Sequence, residues 1–143
     1  MKKTLLLYIC CLPLLLFPQN STQYEVGLPL VRNYSPKEYN AFSQNWGFAQ
    51  DSRGVLYFAN GDGLLEYDGS HWRIIKITNN YTVFSIAIDK ENIIYVGSTS
   101  EFGYINSNKK GKLKFVSLLN KFAPQDRKFN YIRSLYATEA GIF

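Results

Sequence analysis

Between Asn45 and Ile77 the apolar residues come in short bursts divided by turn-forming residues. Trp46, Phe48 and Gln50 alternate with small residues, the period-two pattern of a strand with one side buried. Asp51-Ser52-Arg53-Gly54 then has the form of a tight turn, because the Asp carboxylate can accept backbone N–H groups just ahead and Gly54 tolerates positive φ. Val55 to Ala59 make an unbroken apolar run rich in aromatic and branched side chains, which suits a strand covered on both faces. Gly61-Asp62-Gly63 ends that run, Leu64 to Tyr67 predict a third strand, Asp68-Gly69 a hairpin, and Trp72 to Ile77 a fourth strand. Four strands in about forty residues is the size of one β-propeller blade.

The pattern repeats. Val83 to Gly97 lies on the first copy at an offset of 38, which pairs Asp51 with Asp89, Gly54 with Asn92, Tyr57 with Tyr95, and Trp46 and Phe48 with Phe84 and Ile86. After a two-residue insertion, Gly63 and Leu64 align with Gly103 and Tyr104. A third copy begins at Tyr131, with Gly141-Ile142-Phe143 on Asn92-Ile93-Ile94 at an offset of 49. Asn92 replaces a turn glycine at little cost, since Asn also enters the left-handed region. The second hairpin, around Ser107 to Lys112, is longer and basic.

A period of this size predicts a repeat architecture. The expected fold is all-β, with about two and a half four-stranded propeller blades in an incomplete ring. Residues 45–81 and 82–122 are the two blades, and residues 129–143 start a third. Residues 24–44, with Gly27, Pro29 and Pro36, read as an extended lead-in that could supply a ring-closing strand. A closed propeller needs at least about four blades, so the chain is expected to be the N-terminal piece of a longer protein.

Composition changes this picture mainly at the start of the chain. Lys2-Lys3 precede an apolar stretch from Leu5 to Phe17, the right length for a secretory signal core and short for a membrane span, so residues 1–20 are expected to be a signal peptide. Both cysteines, Cys10 and Cys11, fall inside it, which leaves an exported chain without disulfides or thiolate metal ligands. The formal charge of +5 falls to +3 once Lys2 and Lys3 are removed, too mild to imply a polyanion partner. An aromatic content of 16% favours sheet over helix bundle.

Asp51-Ser52-Arg53-Gly54-Val55-Leu56-Tyr57-Phe58-Ala59-Asn60 with Gly63-Leu64 resembles the two-component regulator propeller repeat, and Asp89 to Gly97 with Gly103 resembles it more loosely. Glu66-Tyr67-Asp68-Gly69 with Trp72, and Glu101-Phe102-Gly103-Tyr104, are similar to versions in Bacteroidetes-type regulators. The resemblance implies a periplasmic sensor region of a hybrid histidine kinase or a triple-tyrosine-domain transcriptional regulator. It implies further blades, a membrane span and a kinase or DNA-binding output beyond Phe143. By the same resemblance the ligand is small, a glycan being the leading class, and the full-length protein is anchored in the inner membrane.

The residues with chemical potential each have a plainer role. His71, the one histidine, sits in the turn Asp68-Gly69-Ser70-His71 and reads as exposed rather than as a general base. Asp51 and Asp89 occupy equivalent turn positions and read as turn formers rather than an acid pair. The run Lys109-Lys110-Gly111-Lys112-Leu113-Lys114 reads as a solvated hairpin that discourages edge pairing, not as a nucleic-acid contact. Gly61-Asp62-Gly63 is too short for a phosphate cradle. Trp46, Tyr57, Trp72 and Tyr95 have strand spacing and read mostly as core, with room for one of them to stack on a sugar ring. No catalytic, cofactor or metal residue is expected, and no cofactor. A secreted propeller hydrolase or lyase with its catalytic groups in later blades, or a scaffold propeller, are the alternative readings.

Overall fold

The chain divides into two compact units, Met1–Arg32 and Asn33–Phe143. The computed structural model describes Gly27 and residues 30 to 143. The expected signal segment, with Cys10 and Cys11, lies outside the described residues, as does most of residues 24–32.

The second unit is all-β apart from single helical turns. Strands β1 (Asn45–Gln50), β2 (Leu56–Asn60), β3 (Gly63–Tyr67) and β4 (Trp72–Ile75) form one antiparallel sheet in sequence order. Strands β5 (Val83–Ile88), β6 (Ile94–Ser98), β7 (Phe102–Ser107) and β8 (Leu113–Ser117) form a second of the same blade-like order. A short hairpin of β9 (Ala137–Thr138) and β10 (Gly141–Ile142) follows.

One turn design starts all three. Asp51 Oδ1 accepts the amides of Arg53 at 2.9 Å and Val55 at 3.1 Å, and Gly54 closes the turn at φ +86°. Asp89 Oδ1 does the same for Glu91 at 3.0 Å and Ile93 at 2.8 Å, with Asn92 at φ +62°. In the third copy Thr138 Oγ1 accepts from Ala140 at 3.2 Å and Gly141 takes φ +135°. These hydrogen bonds are local, spanning two to four residues, so each turn is specified within its own hairpin.

The two sheets share register as well as order. In each, the first strand carries a bulge at the same place, between Asn45 and Gly47 and between Val83 and Ser85, so Trp46 and Phe84 are the unpaired residues. Ala59 pairs with Leu64, and Gly97 with Phe102, so the offset of 38 runs on through β3 and β7. This corrects the two-residue insertion expected before Gly103: Gly103 stands where Leu65 stands, paired with Val96 as Leu65 is with Phe58. The extra residues enter later, in the basic hairpin, after which Tyr104 pairs with Val116 as Glu66 pairs with Arg73, an offset of 43 for β8 on β4. A glycine fits there because a Cβ on Gly103 would meet the Phe115 ring at 2.6 Å and run into the Val116 carbonyl.

The core lies between the sheets. Tyr57, Ala59, Leu64 and Ile75 of the first face Val83, Ile94, Val96, Ile105 and Phe115 of the second, all buried. Each fully buried large side chain of this kind contributes about 1.5–3 kcal/mol. Phe48 departs from the expectation of a buried Trp46-Phe48-Gln50 side: it is 76% exposed and Gln50 is exposed too. The second sheet packs along β1 and leaves the Phe48 and Gln50 side open.

The described part of the lead-in holds one helical turn. Residues 36–39 form a helical turn, α1 (Pro36–Tyr39), and no described residue before Asn45 is in a strand. Pro36 at its first position and Glu38, whose Oε2 accepts both the Ser35 amide at 2.7 Å and the Ser35 hydroxyl at 2.9 Å, start it, and Asn40 at φ +48° ends it. The lead-in covers the outer face of the first sheet: Trp72 is stacked on Tyr67 at 4.3 Å and met by Tyr34 at 5.1 Å and Tyr39 at 5.5 Å.

Candidate functional site

The two bulges place Trp46 and Phe84 on the neighbouring first strands of the two sheets, re-aimed out of the sheet pleat. Residues 131–136 then run alongside β5. The Ser85 hydroxyl donates to the Ile132 carbonyl at 2.7 Å, and the Ile132 amide donates to the Ser98 carbonyl at 3.1 Å. Gly97 permits this approach, since a Cβ there would meet Ile132 at 2.5 Å. The result is a ladder of edge-on rings: Trp46 to Phe84 at 5.0 Å, and Phe84 to Tyr131 at 5.3 Å.

Arg133 lies over this ladder, its guanidinium carbon 5.4 Å from the Phe84 ring centre and 5.1 Å from that of Tyr131. Beside it is a hollow of about 170 Å³ lined by Trp46, Phe48, Phe84, Arg133 and Tyr136, with the Ser85 and Ser134 backbone regions. Phe48 and Tyr136 are exposed apolar surface that the fold does not use, at 76% and 66%. Aromatic faces beside a planar cation can stack on a ring and fix a polar group on it.

The other expected aromatics are structural. Tyr57 is fully buried, Trp72 is enclosed by the lead-in rings, and Tyr95 packs within its sheet near Phe102 and Tyr104 at 6.4 Å. Of the four, Trp46 joins the candidate face.

The carboxylates are engaged in building the fold. Asp51 is buried, and Arg53 reaches its Oδ2 with Nε at 3.0 Å and Nη2 at 2.6 Å, while the Tyr57 hydroxyl donates to it at 3.3 Å. Burial pushes the Asp51 carboxyl up, but the Arg53 side chain and the Val55 and Arg53 amides together outweigh it and hold it below the usual value. Burial, reinforced by the nearby Glu66 and Asp51 charges, pushes the Tyr57 hydroxyl up to about 12. Asp68 accepts the amides of His71 and Ser70 at 2.7 and 2.8 Å, which hold its carboxyl low. His71 itself is exposed, with its Nδ1 3.7 Å from Asp68. Asp62 accepts the Phe42 amide at 2.8 Å and its carbonyl accepts Lys76 Nζ at 3.0 Å, so the Gly61-Asp62-Gly63 turn aims acceptors, not donors, outward.

Two buried acids give no chemical signal in the sequence beyond their place in the repeat resemblance. Glu66 takes a two-pronged contact from Arg73, 2.6 and 2.5 Å, across β3 and β4. Glu101 accepts the Ser117 hydroxyl at 2.7 Å and the Phe102 amide at 3.0 Å. Arg133 was equally silent as an isolated residue, yet the offset of 49 that matches Gly141 to Asn92 also sets Arg133 on Phe84, so the repeat could have found it.

Lys112 and Lys114 sit on or beside β8, the outermost strand of its sheet, where they line a groove of about 510 Å³ with Arg73 and Lys76 of the first sheet. Among the described residues there is no cluster of three His, Cys, Asp or Glu side chains that could hold a metal, and no helix long and apolar enough to cross a membrane. The fold and site thus define an all-β repeat unit with an open aromatic face. Compared with known proteins, the chain matches no family model, no curated protein and no solved structure.

Proposed function

We propose that this chain is the N-terminal part of a periplasmic, ligand-sensing β-propeller belonging to a bacterial signal-transduction regulator, with a histidine kinase or DNA-binding output encoded beyond it. The observation that carries the reading is the repeat: two four-stranded sheets with the same register, the same first-strand bulge and the same Asp turn, and a third hairpin whose turn Thr138 holds through the Ala140 amide. Sheets of this order, each packed on the next through one face, are how a propeller is built. The apolar stretch from Leu5 to Phe17 supports export, and the resemblance of the repeat supports the regulator class.

A binding role is favoured over an enzymatic one by how the acids are spent. Asp51 and Asp89 organise turns, and Glu66 and Glu101 are buried against Arg73 and Ser117. The open aromatic face along the first strands is where a small ligand, a glycan by family analogy, would sit. Signalling would follow from unequal binding to two arrangements of the propeller and the domain after it.

The reading is tested by the coding sequence beyond codon 143. Further copies of the repeat, then a membrane span and a kinase or DNA-binding region, are expected. A stop codon there in an intact gene would overturn it, and a secreted chain with acid pairs in later blades would replace it by a propeller hydrolase or lyase.

A further inference from the structure

We propose that the groove between β4 and β8 docks an acidic peptide segment in extended form, laid along the free edge of β8. β4 and β8 are the last strands of their sheets, and no described strand pairs with the far edge of either. Such an edge presents a row of unpaired backbone N–H and C=O groups, and what satisfies a row of that kind is another peptide backbone. Between the two edges lies the groove of about 510 Å³, with Arg73, Ile74 and Lys76 on the β4 side and Lys112, Leu113 and Lys114 on the β8 side.

The charge in the groove is one-sided. Arg73 is balanced by Glu66, but Lys76 Nζ donates only to the Asp62 carbonyl, a neutral acceptor. Among the described residues nothing pairs with the ammonium groups of Lys112 and Lys114, and no carboxylate lines the groove. Lys112 and Lys114 stand two residues apart with Leu113 between them, so the lysines share one face and the leucine takes the other. A partner strand reading acid, apolar, acid would set its carboxylates opposite the two lysines and its apolar side chain beside Leu113. The same lysines repel a basic edge and leave a neutral one without compensation for their charge, which makes the open edge selective. Cations on both sides of a groove suit a chain lying lengthwise between them better than a flat anionic surface.

Fluorescence anisotropy of labelled peptides with the intact chain, at about 0.15 M salt, tests this. One peptide alternates Glu with Val, a second regroups the same residues into a Glu block and a Val block, and a third is the alternating peptide with Gln for Glu. The alternating acidic peptide should bind at least about fivefold more tightly than either of the others. K112Q with K114Q should erase most of that advantage without moving the thermal melt, and K112E with K114E should transfer the preference to an alternating Lys and Val peptide. N-methylation of one alternate set of peptide amides should abolish binding, and of the other set should not. Equal binding of the regrouped peptide, or tolerance of both methylated sets, would overturn the proposal and leave a general anion patch. Binding to phosphatidylglycerol vesicles with no peptide bound would overturn it in favour of a membrane surface, and binding of nothing would overturn it outright. The sensor reading stays with the downstream sequence in each case.

Discussion

The three turn residues Asp51, Asp89 and Thr138 do the same job, but only Asp51 is also locked by an arginine and a buried tyrosine. D51N should therefore cost about 1–3 kcal/mol, the range for a hydrogen bond to a charged group, and more than D89N, in chemical denaturation. Because the folded Asp51 carboxyl titrates below its unfolded value of about 3.8, its contribution is fully present above that pH and is lost as pH falls through the folded value. An acid melt should steepen below about pH 4, and D51N should flatten that limb. Tyr57 acts at the other end: its hydroxyl is raised from 10.0 to about 12, so its contribution is present below pH 10 and is lost as pH rises through 12. Y57F should soften the alkaline limb, as read by melting temperature against pH. Asn92 shows what residue type alone conceals. Its left-handed backbone was legible as a substitute for glycine, but its Oδ1 also accepts the Ser52 amide at 2.9 Å, tying the second turn to the first. N92G should keep the turn and lose about 0.5–1.5 kcal/mol, whereas N92A should lose more because φ becomes strained as well.

Among the elements, hairpins were the most legible because their causes are local. An Asp or Asn carboxyl or amide oxygen capturing amides two to four residues on is written in consecutive residues, as at Asp51, Asp68, Asp89 and Asn108. Strand pairing beyond the hairpins was read less well. Aligning glycine with glycine put Gly63 on Gly103, but Gly63 is needed for its φ of +132° as well as for room beside the Ile75 carbonyl, whereas Gly103 is needed only for room beside Phe115 and Val116. The helical turn in the lead-in is a further case, because Ser35-Pro36-Lys37-Glu38 carries a helix-start signature among proline and polar neighbours that read as extended. Gly97 is the element-scale test. G97V should displace Ile132, whose amide pairs with Ser98, and hydrogen exchange should show that amide losing protection while β2 and β3 keep theirs. Trp72 tests the other face: W72A removes the ring on which Tyr34, Tyr39 and Tyr67 converge and should cost about 3 kcal/mol, with Tyr39 becoming exposed.

For the whole unit, the decisive feature is that its two faces are finished differently. The first sheet is covered by the lead-in rings, whereas beyond the second sheet Phe102, Phe122, Phe129, Ile132, Leu135 and Phe143 line an apolar hollow of about 540 Å³. At the equivalent surface of the first sheet, Tyr57, Ala59 and Leu64 are buried by the second. With that apolar hollow and the strand edges open, a protein of residues 33–143 should self-associate or melt with low cooperativity. A monomeric, cooperative melt would contradict that expectation.

Sequence alone determined the β class, the repeat spacing and the turn roles of Asp51, Asp89 and His71's neighbours, because each arises from period and from hydrogen bonds a few residues long. Tertiary structure decided which side of β1 is buried, where Gly103 falls, and that Trp46, Phe84, Tyr131 and Arg133 meet. Those outcomes depend on bulges and on which sheet packs where, so residues distant in the chain set them. Phe48 makes the difference plain: its alternation marked a strand correctly, and only the packing of β5 along β1 left its ring on the open face.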